Sequence, residues 1–282
     1  MLRLPRSGAP YEHLRSRRTF KTRKCSPQPW NQRPGCPGNK ASAAGVPVSF
    51  DPSSRARLNH HDLPHFQGTT FFHSIARVLC QANCIPRKEL FESWEFARRT
   101  RRRYRGGRVL DLACGHGLVA YFLLLLDDTS ETALAVDSRI PDSAAKIAVA
   151  LVAAWPRLAG RVAVSEQRIA QVEVRPGDLV VSAHACGGLT DEVLSKALSV
   201  SARVVVLPCC QSTGKNDSGG MEGWLDADLA IDVTRAARLR AHGYLVHTQR
   251  MPKSITAKNR LLFGEPPLSL PLDLAAEKAV PG

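Results

Sequence analysis

The sequence predicts an α/β fold: a mostly parallel, seven-stranded sheet with helices on both faces and a helical cap ahead of it. Three observations carry this. From residue 108 onward, short apolar runs alternate with helix-length segments, the order that builds a parallel sheet. Residues 108–119 read as a buried strand (Val109–Leu112), a small-residue turn (113–117) and the start of an apolar helix (Leu118–Leu126). Strand, glycine turn and helix in that order bring backbone close to a nucleotide. The next strand, Ala133–Asp137, ends in a carboxylate 22 residues past Gly115, where it can accept hydrogen bonds from ribose hydroxyls.

Ahead of the sheet, Thr69 or Thr70 can cap a helix over Phe71–Ala82 whose buried stripe is Phe72, Ile75, Leu79 and Ala82. Pro86 opens a second helix running to about Tyr104, with Leu90, Trp94 and Ala97 on its apolar face and Gly106-Gly107 as its stop. After Asp137 come a helix over 142–155 closed by Pro156, a strand over 161–164, and a Pro176-Gly177 turn into a strand over 178–183. A helix from Thr190 to Leu198, a strand over 203–207, a flexible loop over 211–220 and a helix over Ala227–Ala241 follow. Residues 243–249 and 260–263 supply the last two strands, and no internal repeat is present.

Charge is uneven. The net charge is +14, yet residues 1–50 hold ten Lys/Arg against one acid, and the remaining 232 residues carry 29 bases and 24 acids. The folded part is therefore only mildly basic, and the overall balance overstates the case for nucleic acid. Residues 1–57, rich in Arg, Ser, Pro and Gly, read as a disordered basic leader. Their composition suits an organellar transit peptide, with a solvated tail or a misplaced start as alternatives. The division that follows is leader 1–57, helical cap 58–107, sheet domain 108–265 and flexible tail 266–282. Eight cysteines without disulfide-framework spacing point to an intracellular, reducing compartment, cytoplasmic or organellar. The longest apolar run stops at Asp127-Asp128, too short to span a membrane. Oligomeric state is not legible.

Several clusters have two readings. His60, His61 and His65 could hold a metal but read better as a polar loop. His73, Cys80 and Cys84 share a helical stripe, and core packing is favoured over zinc. Residues 98–105 contain six arginines. That run suggests RNA, but it leads into the N-terminal edge of the first strand, away from the ligand edge of such sheets, and cations suit a helix C-terminus in any case. No metal site is assigned.

The pattern Asp111-x-x-Cys114-Gly115-x-Gly117, with Asp137 at the next strand end, resembles the cofactor loop of class I S-adenosylmethionine-dependent methyltransferases. The run Ser182-Ala-His-Ala-Cys-Gly-Gly-Leu-Thr-Asp191, followed by a strand closing in Cys209-Cys210, resembles one branch of that family, covering about residues 68–265. That branch includes a tRNA ribose 2′-O-methyltransferase and other methyltransferase-like proteins; the zinc-knuckle segments of the tRNA enzyme have no counterpart here. The resemblance implies a Rossmann-like methyltransferase fold with S-adenosyl-L-methionine as cofactor. The cofactor-binding residues it implies are Asp111, Ala113, Cys114, Gly115, Gly117, Asp137, Ser138, Gln167, Arg168 and His184. Gly115 and Gly117 let ligand and chain approach closely.

His184, Cys209 and Cys210 are the catalytic candidates. His184 is the preferred base because its ordinary pKa is about 6.5, although it could equally bond the cofactor. Adjacent cysteines on a strand end point apart, so one at most should face the pocket. The reading is a methyltransferase whose acceptor is RNA ahead of a small molecule or protein. A non-catalytic cofactor-binding scaffold is the rival from another class. A dehydrogenase is disfavoured by the missing third glycine of GxGxxG.

Overall fold

Apolar strands that alternate their side chains between two faces need a helical layer on each, and the computed structural model has that arrangement. It describes residues 50–211, 214 and 216–267. The strands are β1 (Val109–Leu112), β2 (Ala133–Asp137), β3 (Val162–Glu166), β4 (Leu179–Ser182), β5 (Arg203–Val206), β6 (Leu245–Arg250) and β7 (Arg260–Glu265). They form one seven-stranded sheet in the order β3-β2-β1-β4-β5-β7-β6. β1 to β5 are parallel, and β7 pairs antiparallel with both β5 and β6. Strand order reverses between β1 and β4, so a crevice opens at their C-terminal ends.

The helices are α1 (Phe71–Ala82), α2 (Arg87–Arg103), α3 (Leu118–Leu126), α4 (Ser143–Ala154), α5 (Gly188–Leu198) and α6 (Ala227–Ala241). Val109, Ala133, Ala135, Leu179, Val181 and Val205 point to one face, where they meet α1 to α4. Leu110, Leu112, Val136, Val180, Val204 and Val206 point to the other, against α5 and α6. The cap shares the first of these cores: Ile75, Leu79, Leu90 and Phe96 pack in the same cluster as α3. Cys80 and Cys84 are buried in it, in keeping with their reading as core. His60–Phe66, read as a loop, forms a 3-10 turn with Asn59 in a capping box.

The leader boundary at 57 is corrected. Residues up to 49 lie outside the described residues, but residues 50–57, though none is buried, are tied to the cap. α2 begins after Pro86 with no side-chain cap, so its first N–H groups need other acceptors. Ser54 O accepts from Lys88 N at 3.0 Å and Ala56 O from Arg87 N at 3.0 Å. Phe50 meets the rings of Phe66 and Phe91 at 5.4 and 5.9 Å. Of the tail, residues from 268 on lie outside the described residues.

α5 starts at Gly188, two residues ahead of expectation, because Thr190 Oγ1 turns inward to donate to Ala185 O at 2.6 Å. Of the loop over 211–220, residues 212, 213 and 215 are outside the described residues. Its described ends are tied down: Gln211 Nε2 donates to Asp232 Oδ1 and Oδ2 at 3.2 Å, and Asn216 Nδ2 to Asp191 Oδ2 at 2.9 Å.

Among the described residues no helix is long and apolar enough to cross a membrane.

Candidate cofactor site

The turn after β1 is held by backbone bonds on both sides. Cys114 N donates to Val136 O at 3.0 Å, and Gly117 N to Cys114 O at 2.9 Å. Gly115 N donates to Asp137 Oδ2 at 2.9 Å, so the carboxylate ending β2 fixes the turn that follows β1. Asp137 Oδ1 accepts from Ser138 Oγ and Arg139 N, each at 3.3 Å. Ala113, Gly115 and Gly117 all have positive φ, at 56°, 54° and 72°; for Ala113 this is a strained conformation.

The two glycines do different jobs. A Cβ on Gly115 would meet nothing within 4 Å, so it would project into the cleft. A Cβ on Gly117 would lie 3.3 Å from Ala135 Cβ and close to Val164 Cγ2, so Gly117 lets the start of α3 sit on the sheet. The open space beside the turn is therefore at Gly115; Gly117, expected to share it, packs on the sheet.

A cleft of about 240 Å³ lies over this turn. Of the residues named from the sequence it is lined by Ala113, Cys114, Gly115, Asp137 and His184, the last arriving from the loop after β4. Asp111 does not reach it. Its carboxyl is 1% exposed, and Oδ2 accepts from Ala120 N at 3.3 Å, bracing the first turn of α3. Among the described residues Oδ1 has no partner. Burial, reinforced by the nearby Asp137 charge, raises the Asp111 pKa to about 7. Burial likewise pushes the Cys114 thiol up, with Asp111 and Asp137 adding to the effect, so Cys114 is an apolar wall and no nucleophile.

Gln167 lies beside the site: its N–H donates to Asp137 O at 2.9 Å and its Nε2 to Ser165 Oγ at 3.2 Å. Ser138 and Arg168 are exposed and outside the cleft lining.

Three polar lining residues were missed from the sequence, Glu89 and Ser93 on α2 and His116 inside the turn, along with apolar Leu118 and Val119. His116 Nε2 is 2.9 Å from Glu89 Oε2, and its Nδ1 is 2.5 Å from Ser143 Oγ at the start of α4. The imidazole thus joins the cap to the sheet domain at the mouth of the cleft. The Gly-His-Gly run carried that signal, since a ring between two glycines is free to face outward.

Cys209 and Cys210 are not in this cleft either. Residues 207–210 are no longer strand, so strand alternation does not apply, and both sulfurs turn to the same neighbour. Cys186 Sγ is 3.0 Å from Cys209 Sγ and 3.4 Å from Cys210 Sγ. The expectation that the pair diverges is therefore corrected.

Behind them Arg235, 2% exposed, donates to Asp191 Oδ1 and Oδ2 at 2.9 and 2.8 Å and to Gly187 O at 3.0 Å. Asp191, read as a helix-start acid, is thus the partner of a buried guanidinium. Burial acts to raise its pKa, but the Arg235 bonds and charge outweigh that and leave it below the ordinary carboxylate value.

The residues present fit S-adenosylmethionine. The missing Cβ of Gly115 leaves room beside the turn, and Asp137 has lone pairs beyond those used by Gly115 N. Residues 89–216 match the family model of a methyltransferase domain. No curated protein matches the chain.

Solved structures resemble it at low similarity. An O-methyltransferase family protein from Burkholderia thailandensis is 16% identical over 73% of this chain and 67% of its own, with a TM-score of 0.39. A candidate RNA methyltransferase from Pyrococcus horikoshii is 17% identical over 62% and 83%, with a TM-score of 0.38. The N-methyltransferase NodS from Bradyrhizobium japonicum is 12% identical over 64% and 97%, with a TM-score of 0.40. Likenesses this weak say nothing about the acceptor. The glycine turn, the spaced carboxylate, the strand order and the matching family model agree on an S-adenosylmethionine-dependent methyltransferase domain over residues 89–216.

Proposed function

We propose that the chain methylates RNA, with the 113–117 turn and Asp137 holding the cofactor and His184 facing the acceptor. The observation that carries the RNA reading is the rim of the C-terminal sheet edge, where ligands bind in sheets of this order. The connection from β5 to α6 carries Trp224, 90% exposed. β6 ends in exposed Arg250, and its connection to β7 carries exposed Lys253. An open indole and exposed cations on connections of that one edge suit the unstacked bases and phosphates of single-stranded RNA. The arginine run over 98–105 lends no support, because most of it is engaged within the chain at the opposite edge.

When bound, S-adenosylmethionine supplies an electrophilic methyl group on a sulfonium sulfur. Asp137 accepts from ribose hydroxyls while holding Gly115 N in place. Apolar Ala113, Leu118 and Val119 exclude water from the cleft. His184 takes a proton from a hydroxyl or ammonium acceptor; for other acceptors, orientation supplies most of the barrier reduction, ~7–11 kcal/mol in favourable cases.

Incubation with radiolabelled S-adenosylmethionine and separated RNA, protein and small-molecule fractions tests the acceptor. Label should enter RNA; label confined to another fraction contradicts the reading, and cofactor binding with no label anywhere would indicate a scaffold. With the acceptor in hand, His184→Ala should lower turnover by roughly 10²–10⁴-fold, far more than it lowers cofactor affinity. Wild-type turnover at saturating cofactor would remove the base.

A further inference from the structure

β4 and β5 are parallel neighbours with Ser182 opposite Val206. Four residues beyond each of these paired positions stand Cys186 and Cys210, so the register of the sheet carries both to the same height above its C-terminal edge. The loops stay joined past the strands: Leu207 N donates to Ser182 O and Gly187 N to Cys210 O, each at 2.9 Å.

Cys186 directly precedes Gly187, whose φ of 58° and ψ of −127° turn the chain sharply into α5, a conformation that favours glycine. Arg235 grips the carbonyl of Gly187 from below, itself locked to Asp191 and, through Nη1, to Asp232 at 3.4 Å. A buried ion-pair network of this kind holds its loop in one place. The result is three free thiols whose sulfurs lie within 4.8 Å of one another. Among the described residues it is the one group of three His, Cys, Asp or Glu side chains gathered this closely.

Three neutral thiols gain little from each other, because S–H is a weak donor and sulfur a weak acceptor. A soft d¹⁰ cation would bind all three as thiolates, releasing one proton per sulfur. With Zn–S bonds of about 2.3 Å, tetrahedral thiolates stand roughly 3.8 Å apart. The 3.0 and 3.4 Å separations from Cys186 need only small side-chain rotations to reach that.

We propose that Cys186, Cys209 and Cys210 form a binding site for a thiophilic d¹⁰ cation such as Zn²⁺, with its fourth coordination position open. Cys186 and Cys210 are exposed, so that position faces solvent, where water or an incoming ligand can complete the shell. Three protein ligands and one open position is the arrangement of catalytic zinc, in contrast to the closed four-ligand structural site. This site is separate from the cofactor cleft, and its test does not depend on the methyl acceptor.

The experiment uses the full chain, purified under anaerobic reducing conditions, loaded with Zn²⁺ and passed over a chelating resin, with metal measured by mass spectrometry. Wild type should retain about one ion per chain. Cys186→Ser, Cys209→Ser and Cys210→Ser should each lower affinity at least ~10-fold, while a Cys25→Ser/Cys36→Ser variant keeps the ion. Co²⁺ in place of zinc should give the thiolate charge-transfer absorption of a three-sulfur site in wild type, a readout that holds even if a serine variant misfolds. The proposal is overturned if wild type retains no ion, if the ion leaves with Cys25 and Cys36, if the Co²⁺ spectrum lacks thiolate bands, or if Cys186 and Cys209 are found joined as a disulfide under these conditions.

Discussion

At the scale of residues, the site depends on what Asp111, Gly115, Gly117 and Asp137 each do, and the sequence did not separate those roles. It marked all four as cofactor residues. Which glycine opens the cleft and which packs on β2 depends on the neighbours of an absent Cβ, and no motif records them. Asp111 is the clearest case of a changed role: a strand residue in a four-residue strand buried throughout, it is sealed beneath the turn.

Its raised pKa has a consequence for stability. In the unfolded chain Asp111 titrates near 3.8 and in the folded protein near 7. The folded state therefore holds the proton more tightly, and the stability linked to it is present below the lower value and lost as pH rises towards 7. Asp111→Asn, which stays neutral, should flatten the fall in stability between about pH 4 and 7, a change of at most ~4 kcal/mol. Urea unfolding of both proteins at pH 4.5 and 8, buffers of about those values, measures it; an equal pH dependence would show that Asp111 is ionised in the fold.

At the scale of elements, most of the chain was legible because the period of hydrophobicity changes cleanly between strand and helix. α1, α3, α6, β1 and β2 fall on the residues the sequence indicated. What was not legible is what a helix end does once folded. The six arginines over 98–105 read as a solvated terminus, yet they are largely structural. Arg101 is 2% exposed and donates to Leu123 O at 3.1 Å and Ser130 Oγ at 2.8 Å, and its Nη1 is 3.1 Å from Asp127. Arg98 and Arg99 both pair with Glu95. One arginine in the interior and five outside cannot be distinguished by composition, because the buried partner, Asp127, lies a whole helix away. Arg101→Ala should cost about 3–5 kcal/mol by removing one partner of a buried ion pair, whereas Arg102→Ala, at an exposed position, should stay within ~0.5 kcal/mol. Thermal melts of the two variants decide this, and equal melting temperatures would return the whole run to the surface.

At the scale of the whole molecule, the alternation of strand side chains between two helical layers explains why one hydrophobic core extends from the cap to β7. It also explains why the boundary drawn at residue 57 fails. Residues 54–56 give the first turn of α2 its missing acceptors, and α2 in turn brings Glu89 and Ser93 to the cleft. Deletion through residue 57 should therefore be less stable than deletion through residue 49, by about 1–3 kcal/mol, less than the full cost of removing a buried aromatic; equal melting temperatures would make 50–57 dispensable.

The central claim is that the 113–117 turn and Asp137 hold S-adenosylmethionine. Calorimetric titration of the cofactor into wild type, Asp137→Ala and Gly115→Arg tests it most directly, with circular dichroism to confirm folding. Wild type should bind, Asp137→Ala should lose roughly 10–100-fold in affinity, and Gly115→Arg, which fills the open space beside the turn, should show no binding. Wild-type affinity in both folded variants would contradict the account.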